Sequence, residues 1–410
     1  MYASTTLLTP AIAPALAPDL GDLLRQLAIL LNNQPEEAQP GFGIDIGRGG
    51  LVLFNCHYAA YSGETAYYDR ARTQFEQALR EINPHTYCAR FGTSYYQELA
   101  ELGNLVCYLN SHGHLDWDAA PLLAQLDLLL ETRLEHHLKT GKLEIVNGAL
   151  SAGTYFLRRY QQSAVAHRSL HRLLDALVTL REGDKASGYY WTCHVIVEPR
   201  VYTGLSHGSA MILNFLTALH ERGIRPVECA DLLHYGLKFL LTTRMDPDQF
   251  LSSFPLWRGN EEVTNNLCLV YGDVGTAYAA IRAAQRLGHA EYEAEATRIA
   301  LRTVQRTNAS EAFLYDASVW YGAGGSYLLY DSVFRQTGRI EFAEAARYWL
   351  NRIPEMAQHD NEYLGFNSYF FHKHPTAQLS FKFGLTGIGL VLLQALSNSQ
   401  YVLDEFVWLA

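Results

Sequence analysis

The chain has 410 residues, 49% of them hydrophobic and 18% charged, with a formal net charge of −10. That composition supplies a large buried core and excludes a nucleic-acid binder, which needs a basic stripe on its surface. Six cysteines with no Cys-x-x-Cys spacing read as the reduced thiols of a cytoplasmic protein, not as a disulfide framework.

The first stretch, MYASTTLLTPAIAPALAPDL, lacks a basic start and carries Pro10, Pro14 and Pro18 through its apolar part. It makes a poor signal peptide. No run of about 18 apolar residues follows, so no membrane span is expected. From Asp22 the pattern turns helical, with Leu23, Leu24, Leu27, Leu30 and Leu31 on one face. The same spacing returns at Leu122, Leu123, Leu126, Leu130 and Leu134, and at Leu232, Leu233, Leu237, Leu240 and Leu241. Strand-like alternation is scarce. Its best case is HVIVEPRVY at 194–202, which Pro199 interrupts. The chain reads as all-α, and its 26 tyrosines suggest a lined cavity as much as a packed core.

A glycine motif followed by a leucine-rich helix recurs along the whole length. Gly47-Arg-Gly-Gly50 precedes LVLF, Gly148 and Gly153 precede TYFLRRY, and Gly204-Leu-Ser-His207-Gly208 precedes SAMILNFL. Gly272-Asp-Val-Gly275, Gly322-Ala-Gly-Gly325 and Gly384-Leu-Thr-Gly387 follow, while Glu98 to Gly103 before NLVCYL reads as a worn second copy. Seven such anchors predict stacked helical hairpins of about 50 to 60 residues. A glycine helix start leaves N–H groups bare and lets a neighbouring helix or a ligand approach. Seven equivalent hairpins close into a ring with those starts around one mouth. The expected architecture is a single α/α toroid over 42–410, preceded in 1–41 by an N-terminal segment and the first outer helix.

These residues resemble the lanthionine synthetase C-like family, from about residue 42 to about residue 396. The most specific piece is Tyr202-Thr-Gly-Leu-Ser-His207-Gly-Ser-Ala, close to the family's Gly-Leu-Ala-His-Gly element. FGLTGIGLVLLQAL at 383–396 is close to its last repeat. The resemblance implies a seven-hairpin toroid and a cyclase that adds cysteine thiols to dehydroalanine or dehydrobutyrine. Its substrate would be a dehydrated precursor peptide, and its partner a lanthipeptide dehydratase. The resemblance also implies zinc, held by a cysteine in the fifth copy and a Cys-His pair in the sixth. Here those positions carry Val270, Trp320 and Tyr321, which cannot bind zinc as thiolates and imidazole do. The expectation is therefore a cyclase with no cofactor.

Carried over by position, the resemblance makes His207 the proton-handling residue, Glu144 the carboxylate that orients it, and Tyr271 a hydrogen-bond donor to the enolate. Trp320, Tyr321 and Asp273 are expected to line the substrate. A helix N-terminus beside His207 would lower its pKa and keep it neutral. Cys56-His57, Cys193-His194 and Cys268 are the residues a displaced metal site would use, each equally readable as a buried thiol. The loops 198–202 and 367–375 could hold peptide. Two other readings stay open. One is a catalytically inactive toroid that binds precursor or leader peptide, or a dehydratase, as a scaffold. The other is a glycoside hydrolase, which needs facing carboxylates such as Glu144 with Asp273 or Asp316. A scaffold has no use for His207 in this setting, which favours the enzyme.

Overall fold

Residues 20–114, 117–194, 198–260, 266–397 and 401–410 are described by a computed structural model. In chain order its helices are α1 (Leu20–Asn32), α2 (Arg48–Ser62), α3 (Ala66–Arg80), α4 (Tyr95–Ser111), α5 (Ala120–Lys139), α6 (Ala149–Arg159), α7 (Ala164–Thr179) and α8 (Ser209–Glu221). Then come α9 (Pro226–Thr242), α10 (Asp273–Leu287), α11 (Ala290–Thr303), α12 (Ala309–Ala312), α13 (Ala323–Thr337), α14 (Ile340–Glu355), α15 (Pro375–Leu379) and α16 (Leu385–Leu396). The stretch read as a poor signal peptide lies outside the described residues, as do positions 195–197 of the strand-like run. No helix among the described residues is long and apolar enough to cross a membrane.

Helices α2, α4, α6, α8, α10, α13 and α16 each touch the next, and α16 touches α2, so they close an inner ring. Each also packs on an outer helix: α3, α5, α7, α9, α11 and α14 follow their partners in sequence, while α1 pairs with α16. The start of the chain thus completes the last hairpin. Sequence decides which helix goes where. Every residue of α16 from Leu385 to Gln394 is buried, whereas α3 buries only Ala71, Phe75 and Ala78. A helix apolar on all sides must be enclosed, and an amphipathic one can face water. The expected all-α toroid is what the chain forms.

The glycine starts serve the expected close approach but do not leave their helix ends bare. Gly47, Gly148, Gly208, Gly272, Gly322 and Gly384 each cap an inner helix. At four of the six the N–H that follows the cap is not bare. Arg48, Ala149, Ser209 and Ala323 donate to the carbonyls of Gly41, Lys142, Tyr202 and Asp316, seven residues upstream, at 2.8–3.1 Å. Each preceding loop folds back onto its own helix, so the glycines serve close approach and not anion binding. A Cβ on Gly322 would sit 2.3 Å from the Asp316 carbonyl oxygen. The worn second copy is a correction: Ser94 caps α4 through its hydroxyl, and Gly103 lies inside that helix. A Cβ there would meet the Tyr155 ring at 2.5 Å, so this glycine lets α4 pack on α6.

A two-stranded hairpin, β1 (Glu182–Asp184) with β2 (Gly188–Tyr190), packs on α9. The run at 194–202 forms no named strand among its described residues; Cys193 pairs with Arg200 and Tyr202 with Trp257 as single bridges. The C-terminal segment fills the ring. Asp404 bonds Arg335 of α13 at 2.8 Å and Glu405 bonds Arg158 of α6 at 2.7 Å. Asn214 of α8 and Tyr278 of α10 donate to the carbonyls of Trp408 and Leu409.

Candidate active site

Glu144 and His207 come from different hairpins and meet at the glycine end of the ring. His207 lies in the turn before α8, Glu144 in the loop before α6. Backbone N–H groups of Val146 (2.8 Å) and Asn147 donate to the Glu144 carboxylate and fix it. Its Oε2 stands 3.1 Å from His207 Nδ1. The Glu144 side chain is 1% exposed and that of His207 is 14% exposed, so the imidazole is the member of the pair that a substrate can touch.

Gly204 brings a third residue in. Its missing Cβ would fall 2.9 Å from the Val270 carbonyl oxygen and 3.1 Å from Tyr271 Cα, and Ser206 N–H donates to that same carbonyl at 3.1 Å. The turn bearing His207 therefore lies directly on the turn bearing Tyr271. The two rings end 5.9 Å apart, and Tyr202 lies 5.7 Å from His207 on another side. Burial pushes the Tyr271 hydroxyl well above the usual phenol range, so it remains a donor.

The protonation of His207 departs from the sequence expectation. Burial pulls its pKa down, but hydrogen bonds to the Cys193 thiol and the Glu144 carboxylate, with the Glu144 charge, outweigh that and push it up to about 9. The carboxylate beats the helix N-terminus because it touches the ring directly. At neutral pH His207 is an imidazolium, a proton donor.

The other candidates are placed elsewhere. Trp320 is 6% exposed and works as a core side chain: Lys382 Nζ lies 3.1 Å from its ring centroid, and Trp408 meets it edge-on at 4.9 Å. Lys382 is itself 1% exposed and 3.7 Å from Asp45 Oδ2. Tyr321 stays nearer the surface, stacked on Phe383 at 5.9 Å and edge-on to Phe370 at 4.8 Å. Asp273 is not brought to His207. It is 1% exposed, paired to Arg306 at 2.7 Å, and accepts from Ser252 Oγ and from the N–H groups of Ser253 and Phe254. That makes it a brace between a loop and α10, correcting its placement at the substrate. Asp316 is equally enclosed, accepting from the N–H groups of Ser318 and Tyr369. Neither carboxylate faces Glu144 across an opening, which removes the glycosidase pairing.

The side chains at the zinc positions do not fit a zinc ion. Val270 is fully buried and has no donor, the Trp320 ring is covered by an ammonium, and Tyr321 is a protonated phenol held up by burial. Cys268 is no substitute, since burial pushes its thiol up to about 12, against thiolate ligation. Among the described residues no cluster of three or more His, Cys, Asp or Glu is arranged to hold a metal.

Sequence reasoning missed Lys382. For Lys382 there was a signal: a charge between Phe381 and Phe383 in an otherwise apolar run must find a buried partner.

A closed ring of seven hairpins carrying a histidine–carboxylate pair at its glycine end defines an α/α-toroid protein. Residues 42–407 match the family model of the lanthionine synthetase C-like proteins, and the chain belongs to that family. Among solved structures it is similar to a nisin cyclase, with a TM-score of 0.70 at 13% identity over 95% of this chain and 96% of that one. No curated protein matches it significantly.

Proposed function

We propose that this protein is a lanthionine-forming cyclase that closes thioether rings in a dehydrated precursor peptide without zinc. The observation that carries the reading is the His207–Glu144 contact beside Tyr271. A free cysteine is already a few per cent thiolate at neutral pH. Holding it beside an electrophilic alkene supplies several kcal/mol of barrier reduction. The thiolate attacks Cβ of the dehydro residue, and the electron pair of the double bond moves toward the carbonyl. The Tyr271 hydroxyl donates to the developing oxyanion. His207, held as an imidazolium by Glu144, gives its proton to Cα and is recharged from solvent. In this role the histidine acts as acid, not base.

Peptide would reach the mouth along an aromatic track. Phe313, Tyr315, Tyr369 and Phe370 are each 41–52% exposed, successive rings lie 4.8–5.3 Å apart, and Phe370 abuts Tyr321. An exposed run of contiguous aromatics marks a binding surface more often than a solvent face. A dehydratase that supplies the dehydrated peptide is the partner this chemistry requires.

The scaffold reading differs on the wild type, which would bind the peptide and close no ring. Under the proposal His207→Asn binds a dehydrated cysteine-containing peptide normally but does not close its ring. Unchanged closure by His207→Asn would refute the proposal.

A further inference from the structure

Helix α4 carries a polar stripe on its inner side. Gln97, Glu101 and Asn104 are spaced by four and then three residues, which puts them on one helix face. With Asp45 of the first glycine loop, Thr154 of α6 and Glu405 of the C-terminal segment they line a cavity inside the ring. Its volume of about 40 Å³ exceeds the ~10–15 Å³ that one water needs.

The hydrogen bonds around this cavity leave oxygen acceptors over. Gln97 is 4% exposed, and its amide nitrogen donates to Glu101 Oε1 at 2.8 Å and to Asp45 Oδ2 at 3.3 Å. Those two carboxylates fix which way the amide points, because its oxygen would be repelled by them. Gln97 Oε1 and Asn104 Oδ1 are both buried without a partner. Thr154 Oγ1 gives its proton to the Ser151 carbonyl at 2.9 Å, so toward a ligand it only accepts. Buried acceptors left unmet cost free energy, which a bound cation or water recovers. Charge decides between the two. Lys382 pairs with Asp45 at 3.7 Å and Arg158 with Glu405 at 2.7 Å. Glu101 pairs with no cation among the described residues: its Oε2 takes the N–H groups of Ile44 and Asp45, at 2.7 and 3.0 Å, and its Oε1 takes the Gln97 amide. Burial pushes the Glu101 carboxyl well above the usual range, and the Asp45 charge adds to that. With the other two carboxylates paired, the wall keeps one uncompensated negative charge beside neutral oxygen donors.

We propose that the cavity binds a single monovalent hard cation, sodium or potassium, through the Glu101 carboxylate, the amide oxygens of Gln97 and Asn104, and the Thr154 hydroxyl. Carboxylate, amide and hydroxyl oxygens are the ligands of hard cations and not of zinc. One uncompensated carboxylate matches one positive charge, whereas calcium sites recruit several carboxylates. The ion fastens α4 to α6 across the interior of the ring, beneath the first glycine loop. It is a structural site and does not depend on the thioether chemistry at the mouth.

The test uses the full chain exchanged into N-methylglucamine chloride, whose cation is too large for the cavity. Replacing that salt by sodium or potassium chloride at matched ionic strength should raise the melting temperature saturably, by about a few degrees. Glu101→Gln and Asn104→Leu should each abolish the rise. Asn104 is only partly buried and its replacement leaves every charge in place, so it reports even where Glu101→Gln does not fold. Equal melting in the three chlorides means that a proton or a water fills the cavity, and overturns the inference. A sodium or potassium effect that persists in Asn104→Leu, or a rise produced only by calcium or magnesium, overturns it as well.

Discussion

The ammonium of Lys382 lies 3.1 Å from the centroid of the Trp320 ring and 3.7 Å from Asp45 Oδ2. It ties the first, sixth and seventh glycine motifs together at the centre of the ring, since Lys382 N–H also donates to the Asp45 carbonyl and Trp320 N–H to the Lys382 carbonyl. Burial pulls the lysine pKa down and pushes the Asp45 carboxyl up; the charge of each partner opposes that shift in the other, and Glu101 and Glu144 add to the field at the ammonium. Removing one partner of such a pair leaves a buried charge uncompensated, at a cost of about 3–5 kcal/mol. Lys382→Met should lose that much in urea unfolding, and Lys382→Met with Asp45→Asn should recover most of it. An unchanged midpoint for the single variant would contradict the assignment.

His207 makes stability depend on pH in a defined direction. Its folded pKa is raised from 6.5 to about 9, so the stabilisation is fully present below about pH 6.5 and fades as pH rises through about 9. The groups facing the ring are Glu144, Cys193, Tyr202 and Tyr271, and Glu144 supplies the charge. The effect is at most about 3 kcal/mol. Melting temperature should fall over this window in the wild type, and Glu144→Gln should flatten the fall. Cyclisation should lose its acid over the same window, giving a descending limb near pH 9.

Much of this was legible in the sequence. Leucine spacing and repeated glycines pointed to the ring, and the family resemblance of its motif singled out His207. What stayed hidden depends on chain distance. The resemblance paired Glu144 with His207, but across 63 residues the sequence did not show that the carboxylate outweighs the local helix terminus in setting the imidazole charge. The aromatic pair at 320–321 was expected to line the substrate because it stands where the family's Cys-His pair would. The two rings keep an edge-on contact and share Phe383, but Trp320 also turns inward to Lys382 and Trp408, while Tyr321 turns toward Phe370. The C-terminal plug carries no repeat or periodic signal at all.

Asp273 should behave as a structural residue. Its pairing with Arg306, both side chains at 1–2% exposure, predicts that Asp273→Asn costs about 3–5 kcal/mol in unfolding. Activity per folded molecule should stay near wild type at a temperature where the variant is folded. A stable variant with a raised KM would return Asp273 to the substrate surface.

The aromatic track predicts a binding effect without a stability effect. Tyr369 and Phe370 are each 52% exposed, and substitutions at such positions shift unfolding by no more than about 0.5 kcal/mol. Tyr369→Ala with Phe370→Ala should raise KM for the peptide severalfold and leave kcat close to wild type. Equal KM values would remove this surface from the substrate path.

The central claim is ring closure by His207 acid catalysis without metal. It is tested most directly by following thioether formation in a dehydrated, cysteine-containing peptide with protein whose zinc content is quantified. The account predicts acceleration by protein holding far less than one zinc per chain, reduced about 10²- to 10⁴-fold in His207→Asn. A rate no greater than that of the peptide alone, or one that appears only with stoichiometric zinc, would contradict it.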